Sequence, residues 1–95
     1  MAILMTHFWP GATERQYREE IAGVHPNGGR DLPAGQIFHA GGPAPGGFLI
    51  SVVWDSRASA DRFVQEVLMP NVARKGGFEG RPVETIAEIV NLQGL

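Results

Sequence analysis

Three side chains in the sequence can move protons near neutral pH or orient a hydroxylated ligand: His39, His25 and Tyr17. His39 lies in a short β-type segment just before Gly41-Gly42-Pro43, which can shape the mouth of a pocket. The ordinary pKa of an imidazole lies close to physiological pH, so His39 can act as an acid or a base. The structural alternative is a histidine that is hydrogen-bonded within or beside a core. His39 is the first catalytic candidate.

His25 and Tyr17 fall on one face of a predicted helix, two turns apart, so both can line a cavity between helix and sheet. An imidazole and a phenol that converge on such a cavity can orient a phenolic or enolic substrate. His25 also precedes Pro26 at the predicted end of the helix, where it would instead favour the C-terminal end of the helix dipole. We take both residues as catalytic candidates beside His39.

Four ring-bearing side chains are candidates for binding a substrate, because aromatic rings can stack on a flat ligand. His7 and Trp9 alternate onto the same face of the first predicted strand, and Trp54 ends the third. The substrate-binding candidates are His7, Trp9, Trp54 and Phe63. Each tryptophan can equally fill a core or a subunit interface.

Other chemistries find little support in the pattern. The histidines show no HxH or HxxxH spacing and the chain has no cysteine, so we predict no metal site and no organic cofactor. Gly41-Gly42 and Gly46-Gly47 lack the spacing of a phosphate loop, and no nucleophile elbow is present. Glu84 and Glu88 share one face of the last predicted strand, as solvated edge residues or, alternatively, as a buried carboxylate base.

Length and composition limit the organisation and the partners. Residues 1–95 are enough for one domain, and 43% hydrophobic with 19% charged residues is typical of a globular chain. The net charge of −2 comes from scattered residues, so we expect neither nucleic acid nor an anionic membrane as a partner. The absence of cysteine fits a reducing compartment, and the apolar N-terminus is too short for a signal peptide. We therefore predict a cytoplasmic protein.

The elements that must position these residues are predicted in the order strand, helix, strand, strand, helix, strand. Thr13 and Gln16 have the spacing of a capping box, and the helix they begin ends at residues 25–29. Ser56 can cap the second helix, which Pro70 should kink or break near Met69. The strands are predicted at 2–9, 36–40, 48–55 and 83–92, with loops at 28–35 and 41–47 and a turn at 71–75.

The third predicted strand, 48–55, is apolar at almost every position. An antiparallel strand of this kind is covered on both sides, which predicts helices on one face of the sheet and another subunit on the other. The second helix would bury a stripe of Phe63, Val64, Val67 and Leu68. We predict an α+β, ferredoxin-like βαββαβ fold with a four-stranded antiparallel sheet.

Five short stretches of the sequence resemble a family of small actinobacterial proteins. The family belongs to the dimeric α/β-barrel superfamily, close to the antibiotic-biosynthesis monooxygenase group. The resemblance covers nearly the whole chain and implies a homodimer, in which two sheets pack face to face and each subunit has a pocket between sheet and helices. The stretches are His7-Phe8-Trp9-Pro10-Gly11, Phe38-His39-Ala40-Gly41-Gly42-Pro43, Val53-Trp54-Asp55-Ser56, Glu66-Val67-Leu68-Met69-Pro70 and Val90-Asn91-Leu92.

The resemblance does not fix one activity, because the superfamily includes cofactor-free monooxygenases, haem-degrading enzymes, haem peroxidases, isomerases, polyketide cyclases and proteins of no known activity. The monooxygenases commonly use an Asn and a Trp. Trp54 lies near the matching aromatic position, whereas Asn71 and Asn91 do not occupy a matching context. We expect a small cofactor-independent enzyme acting on an aromatic or polyketide-type molecule. The alternatives are a non-catalytic small-molecule-binding or stress-related protein, and a haem-binding or haem-degrading protein.

Overall fold

A four-stranded antiparallel sheet, with its strands in the order β2-β3-β1-β4, carries the helices of this chain on one face. The computed structural model describes residues 1–94. The strands are β1 (Ile3–Pro10), β2 (Gln36–Ala44), β3 (Gly47–Trp54) and β4 (Val83–Glu88). The helices are α1 (Glu14–Val24), the short α2 (Pro26–Gly29), α3 (Arg57–Phe63), a π-helical segment (Val64–Leu68) and α4 (Met69–Lys75). The predicted α+β, ferredoxin-like order of elements is confirmed.

Helix α1 begins at the predicted capping box. The amide of Gln16 donates to the Thr13 hydroxyl at 3.2 Å, and the amide of Thr13 donates to Gln16 Oε1 at 2.9 Å. These two bonds satisfy amides that a helix start leaves without partners. The helix ends at Val24 because His25 adopts an extended conformation (φ −102°, ψ 143°) ahead of Pro26. His25 therefore lies just beyond the helix and is not part of its last turn.

The disturbance predicted near Met69 in the second helical region does not take the form of a break. Instead, the chain stays helical from Arg57 to Lys75 and widens into the π-helical segment immediately before the proline. The amide of Met69 donates to the carbonyl of Val64, a five-residue step. We attribute the wide turn to Pro70, which has no amide to donate and whose ring crowds the preceding turn.

The stripe predicted on this region is less buried than expected. Phe63, Val67 and Leu68 are half-buried and Val64 is exposed, whereas the buried residues of the region are Ser59, Ala60 and Asn71. The π-helical segment explains part of the difference, since inserting a wide turn rotates the residues after it relative to the 3.6-residue period.

Two strand boundaries also differ from the prediction. Strand β2 continues through Gly41 to Ala44, so the predicted connection 41–47 is wrong and only Pro45 and Gly46 form the turn. Gly46 has φ +86°, which a glycine adopts without steric cost. Strand β4 ends at Glu88 rather than at residue 92, because Glu88 pairs with Ile3, the first residue of β1, and no partner strand extends further.

The two faces of the sheet differ in what covers them. The face under the helices forms a core of Ile3, Met5, Val52, Trp54 and Ala60. The opposite face exposes apolar side chains in the single chain, with Leu4, Phe38, Leu49 and Val83 between 38% and 62% exposed. The helices thus cover one of the two sheet faces that the apolar sequence of β3 predicts to be covered.

Gly41 leaves room for the ring of Tyr17 above the sheet. A Cβ at Gly41 would lie 2.9 Å from two carbons of the Tyr17 ring, whereas a Cβ at the neighbouring Gly42 would meet nothing within 4 Å. We expect Gly41→Ala to displace the Tyr17 ring and to lower the free energy of unfolding by about 1–3 kcal/mol. Gly42→Ala is the matched control and should change it by no more than about 0.5 kcal/mol. Urea denaturation measures both; equal effects of the two substitutions would contradict this packing.

Candidate functional site

A cavity of about 170 Å³ lies between the helices and the covered face of the sheet. Its wall is almost entirely apolar and aromatic. The seven site residues predicted from the sequence all line it, namely Tyr17, His25, His39, His7, Trp9, Trp54 and Phe63. The fold therefore brings the candidates together, although it does not by itself assign a role to any of them.

The pairing of β2 with β3 turns His39 into this cavity, and a β-bulge near the start of β2 brings Gln36 to the same side. Gln36 pairs with Trp54 and Phe38 pairs with Val53, so Ile37 is an extra residue in β2. Side chains of a regular strand alternate, which would place Gln36 and His39 on opposite faces. The bulge shifts the alternation by one residue, and both Gln36 and His39 line the cavity while Phe38 points to the open face.

The hydroxyl of Tyr17 and Nε2 of His39 lie 2.6 Å apart, which joins α1 to β2 across the cavity. The ring of His25 meets His39 edge-on, with ring centroids 4.6 Å apart and an interplanar angle of 74°. Tyr17 stacks on Phe48 at 4.6 Å, which fixes the plane of the phenol. Tyr17, His25 and His39 thus form one contiguous cluster, with each group held by packing against a ring.

Burial keeps both imidazoles of this cluster neutral. Desolvation, followed by repulsion from His25, lowers the pKa of His39 to about 4. Desolvation also lowers the pKa of His25, which the backbone of Asp31 partly opposes. At neutral pH His39 is therefore an uncharged imidazole that can accept a proton.

The same burial raises the pKa of the Tyr17 phenol, with Arg18 acting weakly in the opposite direction. Tyr17 consequently stays protonated and donates its hydrogen bond to Nε2 of His39. A neutral imidazole that accepts at Nε2 carries its proton on Nδ1. Nδ1 of His39 is buried and has no hydrogen-bond partner within residues 1–94.

A third imidazole, on the sheet side of the cavity, has a carboxylate partner. His7 and Glu84 are opposite one another in the β1–β4 register, and His7 Nε2 lies 2.7 Å from Glu84 Oε2. Glu84 itself is a half-exposed edge residue, as one of the two predicted alternatives had it. Aromatic rings surround the rest: Trp9 contacts Phe78 at 4.9 Å, and Trp54 contacts Phe63 at 5.2 Å between centroids.

Sequence reasoning missed three polar residues around the cavity and core. Glu20 and Gln36 line the cavity, and Asn71 is 2% exposed beneath α1. Each has a buried oxygen without a hydrogen-bond partner among the described residues. The three-residue spacing of Tyr17 and Glu20 could have placed Glu20 on the cavity face of α1. No sequence pattern indicated Gln36, because its position depends on the register of β2.

Within residues 1–94, no three His, Asp or Glu side chains converge as metal ligands would. None of the helices in the same range is both long enough and apolar enough to cross a bilayer.

Comparison with known proteins identifies the fold. No family model matches the chain, and no curated protein has a significantly similar sequence. A crystal structure named "putative Antibiotic biosynthesis monooxygenase" from Chloroflexus aurantiacus J-10-fl superposes with a TM-score of 0.69. The match covers 99% of this chain and 98% of that chain at 12% sequence identity. The two proteins share a ferredoxin-like fold.

The lowered pKa of His39 predicts how stability depends on pH. Between pH 6.5 and about 4 the unfolded chain binds a proton at His39 that the folded chain does not, so acidification favours unfolding in this window. We expect the free energy of unfolding to fall from about pH 7 to about pH 5, and to fall less in His39→Gln. Glu20, whose pKa is raised, acts in the opposite direction in both proteins. Urea denaturation at the two pH values checks this; identical pH dependence in both proteins would contradict it.

Proposed function

We propose that this protein is a small enzyme that removes a proton from an aromatic or enolic small molecule without a metal or an organic cofactor. The observation that carries the proposal is the 2.6 Å hydrogen bond between the Tyr17 hydroxyl and His39 Nε2 in an apolar cavity. A neutral imidazole bonded to a phenol is a proton acceptor already in place. The likeness in fold to a protein named for a monooxygenase supports the same reading.

The first step of the reaction follows from the direction of that bond. Tyr17 donates to His39, so the lone pairs of its oxygen can accept a hydrogen bond from a substrate hydroxyl or an acidic C–H group. As the substrate proton moves to the Tyr17 oxygen, the phenolic proton moves to His39 Nε2. The products of this step are a substrate phenolate or enolate and an imidazolium, while Tyr17 ends as it began.

The substrate anion has two outcomes that balance. Reprotonation at a different atom gives an isomer or starts a cyclisation. Alternatively, O₂ accepts electrons from the anion, one oxygen atom replaces a ring C–H bond as a carbonyl, and the other leaves as water with two hydrogens, one from that C–H bond and one from the substrate hydroxyl, which His39 returns. His25 lies edge-on to His39 and would hold that ring in place during either course.

The size of the cavity favours a substrate of about one ring. Its volume of about 170 Å³ is close to the roughly 150 Å³ of an engineered cavity that binds benzene, and below the roughly 300 Å³ at which typical ligand pockets begin. Trp9, Trp54 and Phe63 would supply the stacking walls. A hydroquinone fits this description better than a compound of several fused rings.

We also propose that the protein works as a homodimer joined through the open face of the sheet. Leu4, Phe38 and Leu49 form one exposed apolar surface there, and Val83 extends it at the edge. Water-exposed apolar area of this extent is costly in a chain of 95 residues. A second copy offers the same surface, and packing two such sheets face to face buries both.

A charge placed at the centre of that face should separate the subunits. We expect Leu49→Arg to convert a dimer into a monomer, because an arginine buried in this apolar surface would have no partner for its charge. Multi-angle light scattering at micromolar concentration measures the mass. Arg15→Glu, on the outer surface of α1, serves as the charge-change control and should remain dimeric. A monomeric wild-type protein would contradict the proposed assembly.

Oxygen uptake tests the proposed chemistry. We expect metal-free protein to consume O₂ with hydroquinones or naphthols, more rapidly than with the larger anthrones, and to give products that gain oxygen by mass. Tyr17→Phe keeps the ring but loses the hydroxyl, and should lower the rate by about 10²- to 10⁴-fold, as should His39→Gln. Arg15→Glu again serves as the control and should retain the wild-type rate.

The outcomes of this experiment separate the candidate functions. Substrates that are isomerised or cyclised without uptake would keep the proton-abstraction step and exclude oxygenation. Turnover that survives both Tyr17→Phe and His39→Gln would exclude the relay. If the compounds bind but remain unchanged, the protein is a small-molecule-binding protein rather than an enzyme.

A further inference from the structure

The ionisable groups around the cavity are unevenly distributed in sign. Among the described residues that line it, two carry carboxyl groups, Glu20 and Asp61, and none is a lysine or an arginine. Asp61 is exposed at the rim and pairs with Arg57 at 3.1 Å, so its charge is balanced outside the cavity. Glu20 has no such pair in the described chain.

Glu20 lies on α1 three residues after Tyr17, so the two side chains are neighbours on one helix face, with about 5–6 Å between their Cβ atoms. Its Oε2 atom is buried without a hydrogen-bond partner and lies 3.8 Å from the position of a Cβ at Gly77. The next residue, Phe78, contacts the ring of Trp9. Glu20 therefore stands near the aromatic end of the cavity formed by Phe78 and Trp9.

A buried carboxyl oxygen without a partner is unfavourable, because it has lost its hydration and gained nothing in return. Desolvation alone raises the pKa of Glu20, with no cationic side chain acting against it. Arg18, two residues before Glu20 on the same helix, is paired with Glu14 at 2.8 Å. A ligand that brings a positive charge would supply the missing partner.

The rings beside Glu20 suit the same kind of ligand. A cation over the face of a tryptophan or phenylalanine is attracted by the ring quadrupole, more strongly where water is excluded. Trp9 and Phe78 provide two such faces at this end. A ligand with a carboxylate or phosphate would instead meet Glu20 with a like charge and find no lysine or arginine on the described wall.

We propose that Glu20 makes the cavity selective for an aromatic ligand that carries a protonated amine. The ammonium group binds the Glu20 carboxylate beside Trp9 and Phe78, and the aromatic ring extends toward the Tyr17–His39 pair. This inference rests on the proposed function in one respect, that the ligand occupies the same cavity. It adds the charge of the ligand and names Glu20 as the residue that recognises this charge.

Three probes with one ring and different charges test the selectivity: tyramine, 4-ethylphenol and 3-(4-hydroxyphenyl)propionate. Isothermal titration calorimetry measures their affinities for the full chain. We expect tyramine to bind on the order of 10-fold more tightly than 4-ethylphenol, and the propionate to bind most weakly. Glu20→Gln keeps the shape of the side chain and should remove the advantage of tyramine, while the affinity for 4-ethylphenol stays the same.

Glu19→Gln is the matched control. It removes the same charge from the same helix, but Glu19 is exposed and pairs with Arg15, so tyramine should retain its advantage. If 4-ethylphenol binds as tightly as tyramine to the wild type, or if Glu20→Gln leaves the preference intact, the inference is wrong and the cavity remains a ligand site. If none of the three probes binds, both the inference and the proposed use of the cavity fail.

Discussion

The register of β2 against β3 is the constraint on which the candidate site depends. Strand β2 lies at the edge of the sheet and pairs only with β3, so one inserted residue changes which of its side chains face the helices. Because of the bulge, Gln36 and His39 both face the cavity. The uninterrupted ladder from the turn at Pro45 and Gly46 places His39 opposite Val52, on the cavity side beside Tyr17, and the bulge brings Gln36 to the same side.

Burial acts on four ionisable groups of the cavity, and in the direction that keeps each of them neutral. The pKa values of His39 and His25 are lowered, and those of Tyr17 and Glu20 are raised. Two of these groups form the proton relay: Tyr17, a phenol that keeps its proton, and His39, an imidazole that can accept one. Burial thus makes His39 a neutral proton acceptor, and this does not require a cationic side chain in the cavity wall.

The positions of the helices follow from local features that can be recognised in the sequence. Thr13 and Gln16 fix the start of α1, and Gly41 admits the Tyr17 ring that α1 presents to the sheet. Pro70 was recognised as a disturbance, predicted as a kink or a break near Met69, and the helix widens into a π-helical turn there. Helices respond to such a residue by breaking, bending or widening, and packing of Phe63 and Leu68 against the sheet side selects between these responses.

The sequence by itself determined the fold class, the order of elements, the cap of α1 and the set of ring-bearing residues that line the cavity. These depend on periodicity, capping and turn chemistry, which act over a few residues. The tertiary structure alone decided the face that His39 occupies, the extension of β2 through Gly41, and the burial of Glu20 and Gln36. Those outcomes depend on how β2 pairs with β3 and on what packs above α1, and such long-range contacts leave no local pattern in the chain.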